Sequence, residues 1–464
     1  MKQEISSARS SIRWFARVQR GRIASVALAA SLGVALVLLL GVAVASARPT
    51  DPANPARGHV IVQFSDRDLV ARAITFTAPI SGLHALELSG LEVITASTAF
   101  GPAVCSIEGV GCPAENCFCG GNSFWNYNYW DGSAWQGYPV GPGGSTLNDG
   151  AVEGWRWGEW GSAMWPARPV TAALLALDWL QPRQSLTDGG YGGDSGSAEA
   201  LLSIGANGYS AGEWRRQPDA PSLASYWLGR ARTYSSAGGA QAGKLAVGMI
   251  ATETCWPRTA LQPSAYYSET SGIYATGGGP QAWAILGTAA LSETVSSKAT
   301  QYLKSLAQPN GGWEWGPGWG ADTNASALAL QALIATGEPL ASAVITQGLA
   351  YLKSAQNADG GFPYDPDSPW GTTSDANSTA YVVQALRAAG QDPTGPEWSK
   401  GSNNPISFLL SLQLPDGSFE WKKGQGSNAI ATTQALVALL GRTFPLRVAQ
   451  IEWCYASYLP IVSR

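Results

Sequence analysis

One pattern is written three times between residues 299 and 444 of this chain. In each copy an apolar helical stretch ends at a glutamine, a glycine-rich turn with an aromatic residue follows, and a second helical stretch contains Gln-Ala-Leu. The turns are QPNGGW at 308–313, QNADGGF at 356–362 and QLPDGSF at 413–419. A pair of helices cannot bury its own apolar face, so neighbouring pairs must stack. The pattern therefore predicts a helical repeat architecture.

Three weaker copies precede these. The first pairs residues 171–180 with 195–206, the second pairs 223–234 with 242–252, and the third keeps a turn at 272–274 and a second helix at 281–291. We expect about six helical hairpins over residues 161–445 to close into an α/α toroid. The second helix of each hairpin would line the inside, and the aromatic turns would gather around one mouth.

The region before the toroid has a different pattern. Short β-type runs broken by glycine and asparagine extend over residues 58–160, with dense aromatics at 124–130 (FWNYNYW), and they predict a small β domain. Such aromatics more often form the core of a sheet than a binding surface. The expected fold class is thus multidomain, with a disulfide-containing β-rich domain ahead of the toroid.

Cysteines and the N-terminus indicate the compartment. Cys105, Cys112, Cys117 and Cys119 lie close together without a nearby histidine, so two disulfides are favoured over a zinc site, with the pairing left open. Cys255 and Cys454 could form a third disulfide. An arginine-rich start followed by an uncharged run at 23–47 that closes on Ala-Ser-Ala predicts a signal peptide, or else a membrane anchor.

The protein is therefore predicted to be secreted, or to be anchored on the outer side of the cytoplasmic membrane with no other membrane contact. Only 13% of its residues are charged, which leaves no basic face for nucleic acid. No feature of the sequence indicates a particular protein partner. The expected segments are a leader at 1–47, a linker at 48–57, the β domain at 58–160, the toroid at 161–445 and a tail at 446–464.

The sequence excludes several chemistries inside the toroid. Both histidines, His59 and His84, precede it, so neither a Ser-His-Asp triad nor a histidine zinc site can form there, and no metal or catalytic residue is predicted. The turns resemble those of squalene and terpene cyclases, whose acid motif would lie at DANSTA, 375–380. Ser378 stands where that motif has its proton-donating aspartate, and a hydroxyl cannot be that acid.

A carbohydrate-active enzyme would need two carboxylates across a cleft. No pair stands out from their spacing, and turn acids often act only as helix caps. The candidates near the predicted mouth are Asp188, Asp194, Glu199, Glu314, Asp322, Asp375 and Glu420.

Polar residues that open the later inner helices resemble those of the transcobalamin and intrinsic factor family. The matching residues are Asp322 with Thr323, then Asp375 with Ser378, Thr379 and Gln384, then Gln434 before LLGRTF at 439–444. Residues 58–160 also resemble the small β domain of that family, although in the animal proteins this domain follows the helices. The helical part belongs by this resemblance to the prenyltransferase and squalene cyclase toroid superfamily.

This resemblance implies a non-catalytic protein that captures a corrinoid between the β domain and the toroid, with no covalently bound cofactor. A corrin is a large disc rimmed with amides, so its site needs neutral hydrogen-bonding groups and flat apolar contacts. We interpret Gln331, Gln384 and Gln434 as one register that supplies the former. The mouth turns would supply the latter through Trp315, Trp319, Tyr364, Trp370 and Trp421. A terpene cyclase-like or carbohydrate-active enzyme and a protein-interaction module are the alternatives.

Overall fold

The computed structural model describes residues 55–252, 262–369 and 371–446. The predicted leader, residues 447–464 of the predicted tail, most of the linker, and Cys255, Cys454 and Trp370 lie outside these ranges. Within them, no helix is both long enough and apolar enough to span a membrane.

The N-terminal region contains two β-sheets and one helix. The larger sheet has the strand order β2-β1-β8-β6-β7, with β1 parallel to β8 and its other pairs antiparallel, and the smaller one is β3-β4-β5. The elements are β1 Ala56–Ser65, β2 Asp68–Phe76, α1 Gly82–Leu88, β3 Val93–Thr98, β4 Gly101–Ile107, β5 Val110–Gly111, β6 Phe124–Trp130, β7 Trp135–Gly137 and β8 Val152–Gly158.

The two faces of the larger sheet pack against different cores, as strand β1 shows. Alternate residues of a strand point to opposite faces. Val60 and Val62 join the core of the β region, in which Trp125 and Trp155 are also buried. Ile61, on the opposite face, joins the core of the helical region. The sheet therefore has one face for its own core and one for the helices.

The four clustered cysteines form two disulfides, Cys105–Cys117 and Cys112–Cys119. This confirms the prediction of disulfides over zinc. Among the described residues, no group of histidine, cysteine and acidic side chains could hold a metal ion.

Glu153 is a carboxyl group buried inside this β region. Its side chain accepts a hydrogen bond from the Tyr138 hydroxyl, and the Tyr127 hydroxyl also interacts with it. Burial raises the pKa of Glu153 from its usual 4.5 to about 7. The folded protein therefore holds this proton more tightly than the unfolded chain, and Glu153 costs stability as the pH rises from about 4.5 to about 7.

We expect the melting temperature of Glu153→Gln, relative to wild type, to increase steadily over that pH interval. The variant keeps a neutral group of the same shape, so other titrating groups cancel in the comparison. Thermal unfolding of both proteins between pH 4.5 and 7.5 measures the difference. Parallel pH profiles would contradict the assignment.

The helical region consists of helices in pairs, linked by aromatic turns. In chain order they are α2 Ala167–Leu180, α3 Asp194–Ala206, α4 Leu223–Leu228, α5 Ala231–Ser235, α6 Gly239–Ala251, α7 Gly278–Ala290, α8 Ser297–Ser305, α9 Thr323–Ala335, α10 Ala343–Ala355, α11 Ala376–Ala388, α12 Pro405–Ser411 and α13 Ala429–Leu439. Two short strands, β9 Trp313–Glu314 and β10 Ala321–Asp322, pair within one turn.

Six of these helices form a closed inner ring. Each of α3, α6, α7, α9, α11 and α13 packs against the next, and α13 packs back against α3. The inner helices are apolar on nearly all sides, because outer helices cover one side and neighbours cover two others. In the third hairpin, a 3₁₀ turn at Pro263–Tyr266 is all that is described of the first helix. The helical region is thus toroid-like, with second helices inside as predicted.

The fourth residue of an inner helix fixes the turn before it. Ser326 Oγ accepts a hydrogen bond from the Trp313 backbone N–H at 2.8 Å, and Thr379 Oγ1 accepts one from Phe362 N–H at 3.0 Å. Thr432 repeats this contact at the last turn. The aromatic side chains of these turns are fully buried. Each turn is therefore tied to the helix that follows it.

The β region packs on the carboxyl-terminal ends of the inner helices. Asn207, which ends α3, bonds both the N–H and the C=O of Ala71 in β2, at 2.7 and 2.9 Å. Arg442, just after α13, is paired with Asp68. The amino-terminal ends of the inner helices lie at the other end of the ring.

Candidate functional site

A cavity of about 290 Å³ lies in the centre of the ring. Each of the six inner helices contributes at least one residue to its walls, and charged, aromatic and amide side chains are all present. The lining residues are Glu199, Tyr234, Ala240, Gln241, Lys244, Trp283, Trp315, Asn324, Asn377, Tyr381 and Gln434. Tyr234 belongs to α5 and Trp315 to a turn, and the other lining residues fall in the first half of an inner helix. The cavity therefore lies toward the end opposite the β region.

One layer of the cavity follows a simple positional rule. The sixth residues of the inner helices are Glu199, Lys244, Trp283, Leu328, Tyr381 and Gln434, and all of them except Leu328 line the cavity. The second residues of α6, α9 and α11 form a layer nearer the amino-terminal ends, with Ala240, Asn324 and Asn377. Helix geometry thus brings five different residue types to one depth of the cavity.

A charged network occupies the deeper layer. Lys244 Nζ donates to Glu199 Oε1 at 2.5 Å, and Gln434 Nε2 donates to the same oxygen at 2.9 Å. The Lys244 ammonium also lies 5.4 Å from the centre of the Trp283 ring. The two charges cancel, so the cavity carries no net charge from this pair.

Two tyrosines of the cavity remain neutral. Burial, together with the charge of Glu199, raises the pKa of Tyr381 well above its usual value. Burial, with the charges of Glu199 and Asp194, raises the pKa of Tyr234 to about 12. Both hydroxyl groups therefore keep their protons at physiological pH and can act as donors.

Two acceptors in the cavity are unused. Gln434 Oε1 and Asn377 Oδ1 are shielded from solvent and have no hydrogen-bond partner among the residues of the described ranges. An unpaired buried acceptor costs about 1–3 kcal/mol, which a bound donor would recover. Both side chains line the cavity, so a ligand donor that reaches these oxygens would satisfy them.

Of the site residues predicted from the sequence, Trp315 and Gln434 line this cavity. Asp322 instead caps α9, where it accepts from the N–H groups of Ala325 at 2.7 Å and Trp315 at 2.9 Å. Burial raises the pKa of Asp322 to about 7. This aspartate therefore fixes a turn beside the cavity.

Asp375 caps α11 in the same way, bonding Ser378 through both its N–H and its hydroxyl at 2.9 Å. Burial raises the pKa of Asp375. Thr323 donates to the Pro363 carbonyl at 2.7 Å, and Thr379 holds its turn as described above. These groups are thus engaged in contacts within the fold.

The other predicted residues lie apart from the cavity. Gln384 is buried outside the cavity lining, and no partner of its Oε1 occurs in the described part of the chain. Trp319 is 70% exposed, and Tyr364 and Trp421 are each 39% exposed, on the turns of the mouth.

The interpretation of three glutamines in one register is wrong. Gln331 and Gln384 are the ninth residues of α9 and α11, whereas Gln434 is the sixth residue of α13. Nearly one helical turn therefore separates Gln434 from the other two. Gln331 is also used in the fold, since its Oε1 accepts the backbone N–H of Phe444 at 2.8 Å.

Sequence analysis missed most of the cavity. Glu199 was a candidate acid, but Lys244, Trp283 and Tyr381 were not singled out. Counting from the polar caps rather than from Gln-Ala-Leu would have found Tyr381, because Asp375 precedes the first residue of α11. The caps of α6 and α7 are Gly238 and Gly277, so Lys244 and Trp283 follow no such signal.

The second half of the helical region matches a known family model. Residues 280–440 match the family model described as the squalene-hopene cyclase C-terminal domain. The match supports the prenyltransferase and squalene cyclase toroid superfamily for this part of the chain, and the likeness to transcobalamin is not supported by it. Residues 280–440 are thus similar to a squalene-hopene cyclase C-terminal domain, and they lie in a toroid-like helical region preceded by a β-rich region with two disulfides. No curated protein matches the chain significantly.

Several solved structures are weakly similar to this chain. The type II terpene cyclase MstE from Scytonema is 16% identical with a TM-score of 0.40, over 60% of this chain and 98% of that one. The ent-copalyl diphosphate synthase from Streptomyces platensis is 16% identical with a TM-score of 0.33, over 63% and 52%. Candida albicans protein geranylgeranyltransferase-I, complexed with GGPP, is 13% identical with a TM-score of 0.35, over 59% and 85%. Likenesses this weak carry no argument about function.

Proposed function

We propose that the protein binds a small organic molecule in the central cavity and does not cyclise it. The observation that supports this most is the cavity-lining Gln434, whose amide N–H₂ is bonded to Glu199 while its oxygen has no hydrogen-bond partner among the described residues. Lys244 fixes Glu199 in turn. A fixed network that ends in an unused acceptor is the arrangement expected of a binding site prepared for a donor.

Cyclisation that starts with a proton needs an acidic side chain in the cavity, and the proposal assigns none. Both carboxylate oxygens of Asp375 are occupied by Ser378, and Asp375 does not line the cavity. The one carboxylate in the described lining is Glu199, which is paired with Lys244. A carboxylate held by an ammonium is a poor source of a proton for an alkene.

The same lining argues for binding over glycoside hydrolysis, which uses two carboxyl groups about 5–10 Å apart across the substrate. Glu199 has no second carboxylate beside it among the described lining residues. The proposal therefore assigns no catalytic residue. It places the protein outside the cytoplasm, which is supported by the two disulfides.

A corrinoid fits this cavity poorly. Pockets for drug-sized ligands measure about 300–1,000 Å³, and a corrin with its side chains is larger than such ligands, whereas the cavity has about 290 Å³. A separate cleft of about 470 Å³ lies between the β region and the helices, but the Arg442–Asp68 ion pair borders it. Cyanocobalamin is therefore tested below as the probe of this ligand class.

Trp315→Ala is expected to weaken ligand binding about tenfold or more, because it removes an aromatic wall of the cavity. Trp319→Ala is the matched control, since Trp319 lies on the same turn but is exposed and outside the lining. Thermal shift screening with sugars, isoprenoid alcohols and cyanocobalamin, followed by calorimetry with each compound that binds, gives the affinities. Equal affinities of the two variants would contradict the site.

A further inference from the structure

We infer that the central cavity takes one neutral sugar ring. This inference rests on the proposed function and names the class of its ligand. It depends on three properties of the lining: its balance of charge, its balance of donors and acceptors, and its aromatic walls.

Charge selects against ionic ligands. Glu199 and Lys244 lie within the described lining and neutralise each other through a contact of 2.5 Å. Their side chains are 6% and 16% exposed, so the pair is largely removed from water. A charged ligand would bring an uncompensated charge into the same space, which is costly at low dielectric.

The hydrogen-bonding groups select for hydroxyls. Gln434 Oε1 and Asn377 Oδ1 need donors, whereas the neutral hydroxyls of Tyr234 and Tyr381 can donate. An ammonium only donates and a phosphate only accepts, but a hydroxyl does both. A ligand with several hydroxyls around a compact body therefore satisfies the lining, whereas an isoprenoid hydrocarbon would leave both acceptors unpaired.

The walls and the volume select for a single ring. Trp283 and Trp315 both line the cavity, and indole rings offer flat apolar surfaces to the C–H groups of a pyranose. About 290 Å³ corresponds to roughly ten water molecules at about 30 Å³ each. This is room for one hexose, with its 12 or so heavy atoms, and not for a long chain.

Isothermal titration calorimetry of the folded chain tests the inference. The probes are glucose, galactose, mannose, N-acetylglucosamine and their methyl glycosides, with cyanocobalamin and geranylgeraniol as probes of the other classes. We expect one-to-one binding of at least one sugar. Gln434→Met should weaken it at least tenfold by removing the acceptor, as should Asn377→Leu, while Trp319→Ala should leave it unchanged. Circular dichroism confirms that each variant is folded.

The outcomes separate the two proposals. Binding of cobalamin or geranylgeraniol without any sugar, reduced by Trp315→Ala, would overturn the sugar inference and keep the cavity as a binding site. Sugar binding that both Gln434→Met and Asn377→Leu leave unchanged would also overturn it. Failure of every probe to bind the wild-type protein would overturn the inference and count against the proposed function as well.

Discussion

Replacing Lys244 by Met is expected to lower the free energy of unfolding by about 3–5 kcal/mol, because it leaves the buried Glu199 carboxylate without its partner. Glu199 would keep its hydrogen bond from Gln434, but an amide does not balance a full charge. Urea unfolding, analysed by linear extrapolation, measures the change.

Two further proteins make this result specific. The double variant Lys244→Met with Glu199→Gln removes both charges and should recover most of the lost stability. Lys298→Met breaks an exposed ion pair with Glu269, which is worth about 1 kcal/mol or less. If Lys244→Met costs no more than Lys298→Met, the deep ion pair does not organise the cavity.

Phe362→Ala is expected to cost about 3–5 kcal/mol of stability, as for other large side chains removed from a core. Phe362 is fully buried and packs near the Trp398 ring, at 6.5 Å between ring centres. Its backbone is tied to α11 through Thr379, so the turn cannot easily collapse into the space left behind. Thermal and urea unfolding give the size of the loss.

Trp319→Ala is the control for this prediction too, since it removes a larger aromatic from an exposed position of an equivalent turn. It should change stability by about 0.5 kcal/mol or less. A comparable loss in both variants would show that burial of the turn aromatics does not decide the stability of the repeats.

The repeat architecture could be predicted because its signals are periodic and local. The turns at 308–313, 356–362 and 413–419 each place one aromatic residue after glycine, and the structure buries that residue each time. Asp322 and Asp375, which the resemblance made ligand-binding residues, are helix caps in the structure, the alternative that their positions before an apolar helical run also offered. Such features recur in sequence, so a single chain displays them.

The cavity could not be predicted in the same way. Its lining residues lie at the same level along different inner helices, but they are of different residue types. Glu199, Lys244 and Trp283 lie side by side through the packing of three helices, and no spacing in the sequence announces this. The Gln-Ala-Leu motif does not mark equivalent positions, because it begins at the sixth residue of α13 but at the ninth residue of α9 and α11.

The position of the β region also depended on tertiary contacts. The resemblance to transcobalamin implied a lid over the ligand, but Asn207 and Arg442 hold the β region at the carboxyl-terminal ends of the inner helices. Polar partners such as these are far apart in the chain, so the sequence does not pair them.

The affinity of Ala240→Phe for the sugar or other compound bound by wild type tests the central claim most directly. Ala240 is the second residue of α6 and lines the cavity near the amino-terminal ends of the inner helices. A phenyl group there should occupy the ligand's space and leave the Glu199–Lys244 ion pair intact. We expect the affinity to fall about 100-fold or more, with thermal stability close to that of wild type. An unchanged affinity in the folded variant would show that the ligand binds elsewhere.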